Sequence, residues 1–448
     1  MKFVNRLFHF FLYLLAFLLP LQTRFIIRPG VINFGYWEYG TYSLYLVDII
    51  LIIVLSLAAL KLFQKENDSI VSLKINWRQS SFNKALYFLI ALELLVFISV
   101  FFAPNKILAL YHYGLFLLGL GIFFIVKNRG WFSKIKLVYS FLAGIFLQAL
   151  LAIWQFASQS TFASKYLGMA SHDPAAPGAV VLEIYRHGVL TRWLRAYGGL
   201  DHPNMLGLLM AVGVLIVVGL IIKRRGVNKK LLLINYGLLF FFGVACLFSF
   251  SRSAWLGLFL GLLIIFLIHS RKLFKRKIDW RSSEIKLIMI FSLIFIIIFS
   301  SVSTLFTARF DTQNRLEQIS TCERLTSFGQ AQKIIMAHPF QGVGIGNYTI
   351  ALFQNSSFNP SYYYQPVHNV FLLAWSELGM VGLLCFLGFL FFLVFWKIKQ
   401  ITKQEIGLAI LAVLLVSLMV DHWLFSLHFG IFLFWFVIGL IWPEEEII

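Results

Sequence analysis

Charge is what this sequence has least of. Only 13% of its 448 residues are Asp, Glu, Lys or Arg, about half the usual share of a soluble domain. The acidic sign is the scarcer one, with 19 Asp and Glu against 38 Lys and Arg. A polar exterior cannot be built from so few charges around a chain that is 60% apolar. Cysteine is also scarce. Cys246 and Cys385 sit in apolar runs and Cys322 stands alone in a polar segment, so no disulfide framework follows. No HExxH-type ligand pair occurs. His172, His187, His202, His338, His368 and His422 are scattered over four polar segments, and no metal site is expected. The apolar runs lack period-two alternation, which excludes a β-barrel. No internal repeat is visible, which counts against an inverted-repeat transporter.

What the sequence does have is continuous apolar runs of roughly 20 residues, each long enough to cross a bilayer. They fall at about 7–22, 41–61, 83–102, 107–126, 136–157, 204–222, 231–249, 254–269, 286–305, 367–396, 406–420 and 424–441. The expectation is an all-α polytopic membrane protein of about twelve transmembrane helices. Lys and Arg crowd into alternate short loops, so the positive-inside rule puts both termini in the cytoplasm. The same rule accounts for the net charge of +19 without nucleic acid. The first run lacks a small-residue cleavage site and reads as a retained span. Five segments follow: membrane helices in 1–157, an outer loop at 158–203, membrane helices in 204–305, a larger outer loop at 306–366, and membrane helices in 367–448. Both outer loops are expected to carry amphipathic helices, the larger one at about 321–337.

The outward cations are the informative minority, because the sorting rule does not require them. Arg252 lies in the hinge Phe-Ser-Arg-Ser-Ala between two apolar runs. A cation there is costly unless paired or wet, and a guanidinium can clamp phosphate oxygens in pairs. Arg324 lies on the expected amphipathic helix beside Glu323, so an ion pair and an anion contact are both open. Arg195 precedes the Gly198-Gly199 turn and is read as a substrate contact, while Arg186 and Arg192 face headgroups. His368 follows Pro366 where an apolar helix opens. Proline suits a first helical turn, and the positive helix end favours neutral imidazole, the form a general base needs. Spacing alone leaves His368 as either a base or an interfacial anchor. Gly342, Gly344 and Gly346 mimic a nucleotide loop but lack its strand and helix context, so they are read as tight packing. Asp48 and Glu93 lie within spans, and Glu377 is a structural partner for loop or helix polar groups.

Four stretches, in order, are RAYGGLDHPNMLG from Arg195, SRSAWLGL from Ser251, Glu323-Arg324 followed by AHPFQGVGIGNY, and HNVFLLAWSELGMVGLL from His368. Together they resemble the O-antigen ligase and polymerase family, membrane glycosyltransferases of bacterial surface polysaccharide assembly. The resemblance implies a bacterial cytoplasmic-membrane enzyme with its active site on the outer face. Its donor would be a glycan on undecaprenyl pyrophosphate. Its acceptor would be a hydroxyl of the lipid A core, of another lipid-linked glycan, or of a protein. No nucleotide sugar, metal or other cofactor is implied. Transfer would be a single inverting displacement. By motif, Arg252 and Arg324 match the family's two essential arginines, and His368 matches the proposed base. Lys106 and Arg195 are further phosphate contacts on this reading. SRSAW carries serine where the family often has glycine. A transporter or flippase of lipid-linked glycans is the alternative of a different class; it would need mid-span charges, and few are present.

Overall fold

The computed structural model describes residues 2–66, 81–186, 189–223, 229–273, 283–355 and 358–442. Among these the chain is mostly helical. It begins with α1 (Lys2–Leu18), then β1 (Arg24–Arg28), β2 (Val31–Ile32), β3 (Gly35–Tyr36) and β4 (Tyr42–Tyr45). Four helices follow, α2 (Leu46–Glu66), α3 (Ser81–Phe102), α4 (Lys106–Lys127) and α5 (Lys134–Ser158), and then β5 (Val181–Arg186) and β6 (Val189–Leu194). The next group is α6 (Pro203–Lys223), α7 (Lys229–Phe248), α8 (Arg252–Leu273), α9 (Ser283–Ser301), α10 (Ser303–Ala308), α11 (Arg315–Ala337) and α12 (Tyr348–Asn355). The chain closes with α13 (Val370–Lys399), α14 (Ile401–Val420), α15 (Trp423–Ser426) and α16 (His428–Ile441).

Among the described residues eight helices, α2 to α7, α13 and α14, are long and apolar enough to cross a membrane. The four other expected spans coincide with α1 and with the shorter apolar stretches Arg252–Ile268, Ser292–Ser301 and His428–Ile441. In lipid the backbone must satisfy itself, which is why such runs form helices. Packing then selects their neighbours. α13 lies on α3, α14 on α8, α16 on α4, α6 on α7, and α1 on both α2 and α5. α16 is buried along its whole length, as expected of a helix apolar on every face.

Two expectations need correction. The fold is not purely helical, and the loop at 158–203 holds no amphipathic helix among its described residues. β5 instead pairs antiparallel with β6, Val181 opposite Leu194. β1 likewise pairs with β4, Arg24 opposite Tyr45. The reason is local. Val-Leu-Glu-Ile-Tyr-Arg and Val-Leu-Thr-Arg-Trp-Leu are rich in β-branched and aromatic residues, which fit a half-buried pleated surface. The larger loop does carry a helix, α11, which begins at Arg315, earlier than the expected 321.

α13 is broken in its course by Gly379, at φ +73° and ψ −178°. The loop after α11 fills that break. Val343 N donates to Ser376 O, Gly344 N to Glu377 O, and Met380 N to Pro339 O, each at 2.9 Å. The Glu377 carboxylate accepts from Tyr348 N at 3.2 Å. The glycine pattern and Glu377 are therefore structural, as the sequence indicated. At Gly379 a Cβ would lie 1.9 Å from Phe340 O, so only glycine fits.

Candidate functional site

The site is built where polar connections gather at one end of several helices. Its first part is a turn. α7 ends at Phe248, and Phe250 takes a left-handed conformation at φ +47°, uncommon for a bulky residue. The turn frees three carbonyls. Phe248 O accepts from Ala196 N at 3.0 Å, Ser249 O from Arg195 Nε at 2.9 Å, and Phe250 O from Arg309 Nε at 3.1 Å. One strained turn thus gathers residues from two other segments, and α8 begins directly after it with Arg252.

Arg252 Nη2 reaches the Glu317 carboxylate at 2.8 Å, and its Nη1 donates to Arg309 O at 3.0 Å. Arg309 also pairs with Glu317. Arg324, two turns further along α11, forms no ion pair with Glu323 among the described residues. Arg252 and Arg309 therefore share the Glu317 carboxylate, with the charges of Arg195 and Arg324 close by. The crowding shows in their acidity. Burial, with Arg252 and Arg324 nearby, pulls the Arg309 guanidinium down to about 10 despite Glu317. Burial and the Arg309 and Arg252 charges likewise pull Arg195 well below the ordinary arginine range.

The second part surrounds Asp421, between α14 and α15. Asn369 caps α13, its Oδ1 accepting from Leu372 N at 3.0 Å, and its Nδ2 donates to Met419 O at 2.9 Å. This brings His368 beside the end of α14, where its Nδ1 lies 3.5 Å from Asp421 Oδ1. His368 precedes the cap, so it is not in the first helical turn. Asp421 Oδ2 accepts from Asn204 Nδ2 at 3.1 Å, and Asn204 Oδ1 accepts from Arg195 Nη2 at 2.8 Å. The arginine cluster and the histidine are thus joined through Arg195, Asn204 and Asp421.

His422 packs beside His368 with ring centres 5.2 Å apart, and the Tyr39 hydroxyl lies 3.5 Å from its Nε2. Burial pulls the His422 imidazole down to about 3. Burial and Arg195 do the same for His202, also to about 3. Burial pushes the Asp421 carboxyl up, but His368 and the surrounding imidazoles outweigh it and hold it well below the ordinary carboxylate range. At neutral pH this leaves an ionised aspartate beside His368.

His368, Asp421 and His422 also place one ligand atom each within 4.8 Å of one another, so these three could hold a metal ion. The sequence argument against metal rested on scatter along the chain, and the fold removes that scatter for two of the histidines.

The predicted residues are distributed unevenly. Arg252 and Arg324 join the arginine cluster, and His368 joins Asp421. Arg195 is 4% exposed and committed on two nitrogens, which suits a positioning group better than a direct phosphate contact. Lys106, the exposed first residue of α4, has no hydrogen bond or ion pair to the arginine cluster among the described residues. Arg192 is not turned to headgroups alone: its Nη1 donates to Ala175 O at 3.1 Å and its Nε lies 3.6 Å from Glu183. The Arg186 side chain lies outside the described residues, as does His187. Asp48, read as mid-span, stands in the first turn of α2 and meets His428 Nε2 at 2.6 Å. Asn204, Arg309, Glu317 and Asp421 were missed. The polar break Asp421-His422 between the last two apolar runs was the available signal for one of them.

No curated protein matches this chain. Residues 237–387 match the family model described as O-antigen ligase, a segment that contains Arg252, Arg309, Glu317, Arg324 and His368. Over that segment the chain is similar to the O-antigen ligase family.

Proposed function

We propose that this chain is a lipid-linked glycan transferase. It moves a glycan from undecaprenyl pyrophosphate to an acceptor hydroxyl at the outer face of the bacterial cytoplasmic membrane. The observation that carries this reading is the chain of contacts from Arg195 through Asn204 and Asp421 to His368. It couples a cluster of cations, suited to pyrophosphate, to a histidine suited to deprotonating a hydroxyl.

The chemistry follows from those two halves. Asp421 orients His368 by accepting from its Nδ1–H, which leaves Nε2 as the base. His368 takes the proton of the acceptor hydroxyl as that oxygen attacks the anomeric carbon. The bond from the anomeric carbon to phosphate oxygen breaks, and its electron pair leaves with the lipid pyrophosphate. Arg252 and Arg324 face the growing negative charge, and fixed cations near a dry interface stabilise it strongly. Glu317 and Arg309 hold Arg252 in place. A single displacement of this kind inverts the anomeric centre and leaves no glycosyl-enzyme. The leaving group is already activated, so the step requires no cofactor. The acceptor is the lipid A core in the ligase reading. Another lipid-linked glycan or a protein hydroxyl would meet the same base.

The test is reconstitution. Purified protein receives undecaprenyl-pyrophosphate oligosaccharide and a panel of lipid A core, lipid-linked glycan and protein acceptors, with and without chelator. Transfer to one acceptor, lost in His368→Ala and unaffected by chelation, is expected. Full-rate transfer by His368→Ala would remove the assigned base. Loss of transfer on chelation would instead make His368, Asp421 and His422 metal ligands.

A further inference from the structure

A cavity with a partly polar lining opens at Asp201, the residue before His202. It is a cleft of about 450 Å³ lined by Arg24, Phe25, Ile26, Ser164, Lys165, Gly168, Met169, Ala170 and Asp201, a size typical of small-ligand sites. A deeper recess of about 90 Å³ continues it past Thr161, His172 and Tyr197, sharing Asp201 and the segment 168–170.

The cleft is built, not incidental. One wall is the β1–β4 hairpin, where Arg24 is held in an ion pair with Glu38 and within 3.1 Å of the Tyr45 hydroxyl. The other is the loop after α5, closed by paired backbone hydrogen bonds of 2.9 Å between Ser164 and Met169. That loop is pressed onto the first wall. Gly168, at φ +66°, leaves room for the Gln22 carbonyl, which a Cβ would approach to 2.0 Å, and the Thr23 hydroxyl donates to Tyr166 O. Asp201 opens onto the cleft, and no described side chain hydrogen-bonds its carboxylate.

The cleft is linked to the reaction site through the chain. Asp201 adjoins His202, whose Nδ1 accepts from Asn204 N at 3.0 Å, and Asn204 is bonded to Asp421. On the hairpin side, Glu38 is followed by Tyr39, which reaches His422. Each wall is thus one residue along the chain from a group whose contacts lead to Asp421 or His422.

We propose that this cleft binds a saccharide unit of the acceptor, with Asp201 accepting hydrogen bonds from its hydroxyls. The inference rests on the transferase reading for the word acceptor, but not for the binding. The lining selects the ligand class. Arg24 and Lys165 are balanced by Glu38 and Asp201, so a phosphate gains little and meets a carboxylate. A neutral polyol has donors for Asp201 and acceptors for Arg24, Lys165 and Ser164. Its C–H faces suit Phe25, Ile26 and Met169.

The test measures binding without transfer. Full-length protein in detergent is titrated with an oligosaccharide released by mild acid from the source cells' own surface polysaccharide, and separately with inorganic pyrophosphate. Wild type should bind the oligosaccharide. Asp201→Asn, nearly isosteric, and Met169→Trp, which fills the cleft, should each weaken it at least tenfold and leave pyrophosphate binding unchanged. His368→Ala should retain oligosaccharide binding although it loses transfer. No binding by wild type, or unchanged binding by Asp201→Asn, overturns the proposal. Binding at this cleft by a protein that transfers nothing would sink the transferase reading and leave the saccharide site standing.

Discussion

Asp421 is the residue on which the two halves of the site meet, and it separates chemistry from packing. Asp421→Asn keeps the shape and removes the charge that orients His368. Turnover should fall about 100-fold, the low end of what acid–base catalysis contributes, with the donor KM nearly unchanged. A kcat within twofold of wild type would make Asp421 a purely structural group. The same carboxyl predicts a pH effect. Its folded-state acidity lies below the ordinary aspartate range, so its stabilising contribution is present above about pH 4 and is lost as pH falls through the folded value. The thermal midpoint of wild type should therefore fall more steeply below pH 4 than that of Asp421→Asn. Arg309 and Arg324 divide in another way. Arg309 is buried against Glu317, with side-chain exposures of 11% and 8%, and removing one partner of such a pair costs about 3–5 kcal/mol. Arg309→Met should lower the melting midpoint clearly. Arg324→Met should leave the midpoint near wild type and lower transfer. Equal midpoints for the two variants would contradict this division.

At the scale of elements, the break in α13 holds the loop that carries the glycine pattern. Gly379→Ala places a methyl group against Phe340 O in a left-handed conformation, which costs about 1–3 kcal/mol in backbone strain before the clash is counted. Amide exchange across 339–347 should accelerate and transfer should drop. Unchanged exchange would show that the loop does not depend on the break. The glycines were legible as packing because their motif lacked the context of a nucleotide site. The break was not legible, because Ser-Glu-Leu-Gly within an apolar run reads as continuous helix. The hairpins were missed for a related reason. Arg192 and Arg195 at near-helical spacing suggested an amphipathic helix, whereas the β-branched alternation of Val181–Arg186 was the stronger determinant. Asp421 escaped because two apolar helices separate it from His368 in sequence, and only α13 lying beside α14 brings them together.

At the scale of the whole molecule, the apolar runs were the most legible feature, since lipid leaves the backbone few alternatives to helix. Which side of the membrane each loop occupies is a separate matter, set by charge sorting and not by packing. The sorting predicts that α11 lies outside and the Lys229–Lys230 end of α7 in the cytoplasm. The native chain carries its own probe for this. Cys322 is exposed on α11, Cys246 is buried and Cys385 is only partly accessible. A membrane-impermeant maleimide added to intact spheroplasts should label wild type, and Cys322→Ser should abolish that labelling. In the Cys322→Ser background, Lys229→Cys should react only after permeabilisation. Labelling of Cys322 only after permeabilisation would put the arginine cluster on the cytoplasmic side. A lipid pyrophosphate presented outside could not then reach Arg252 and Arg324, so the proposed transfer at the outer face stands or falls with this measurement.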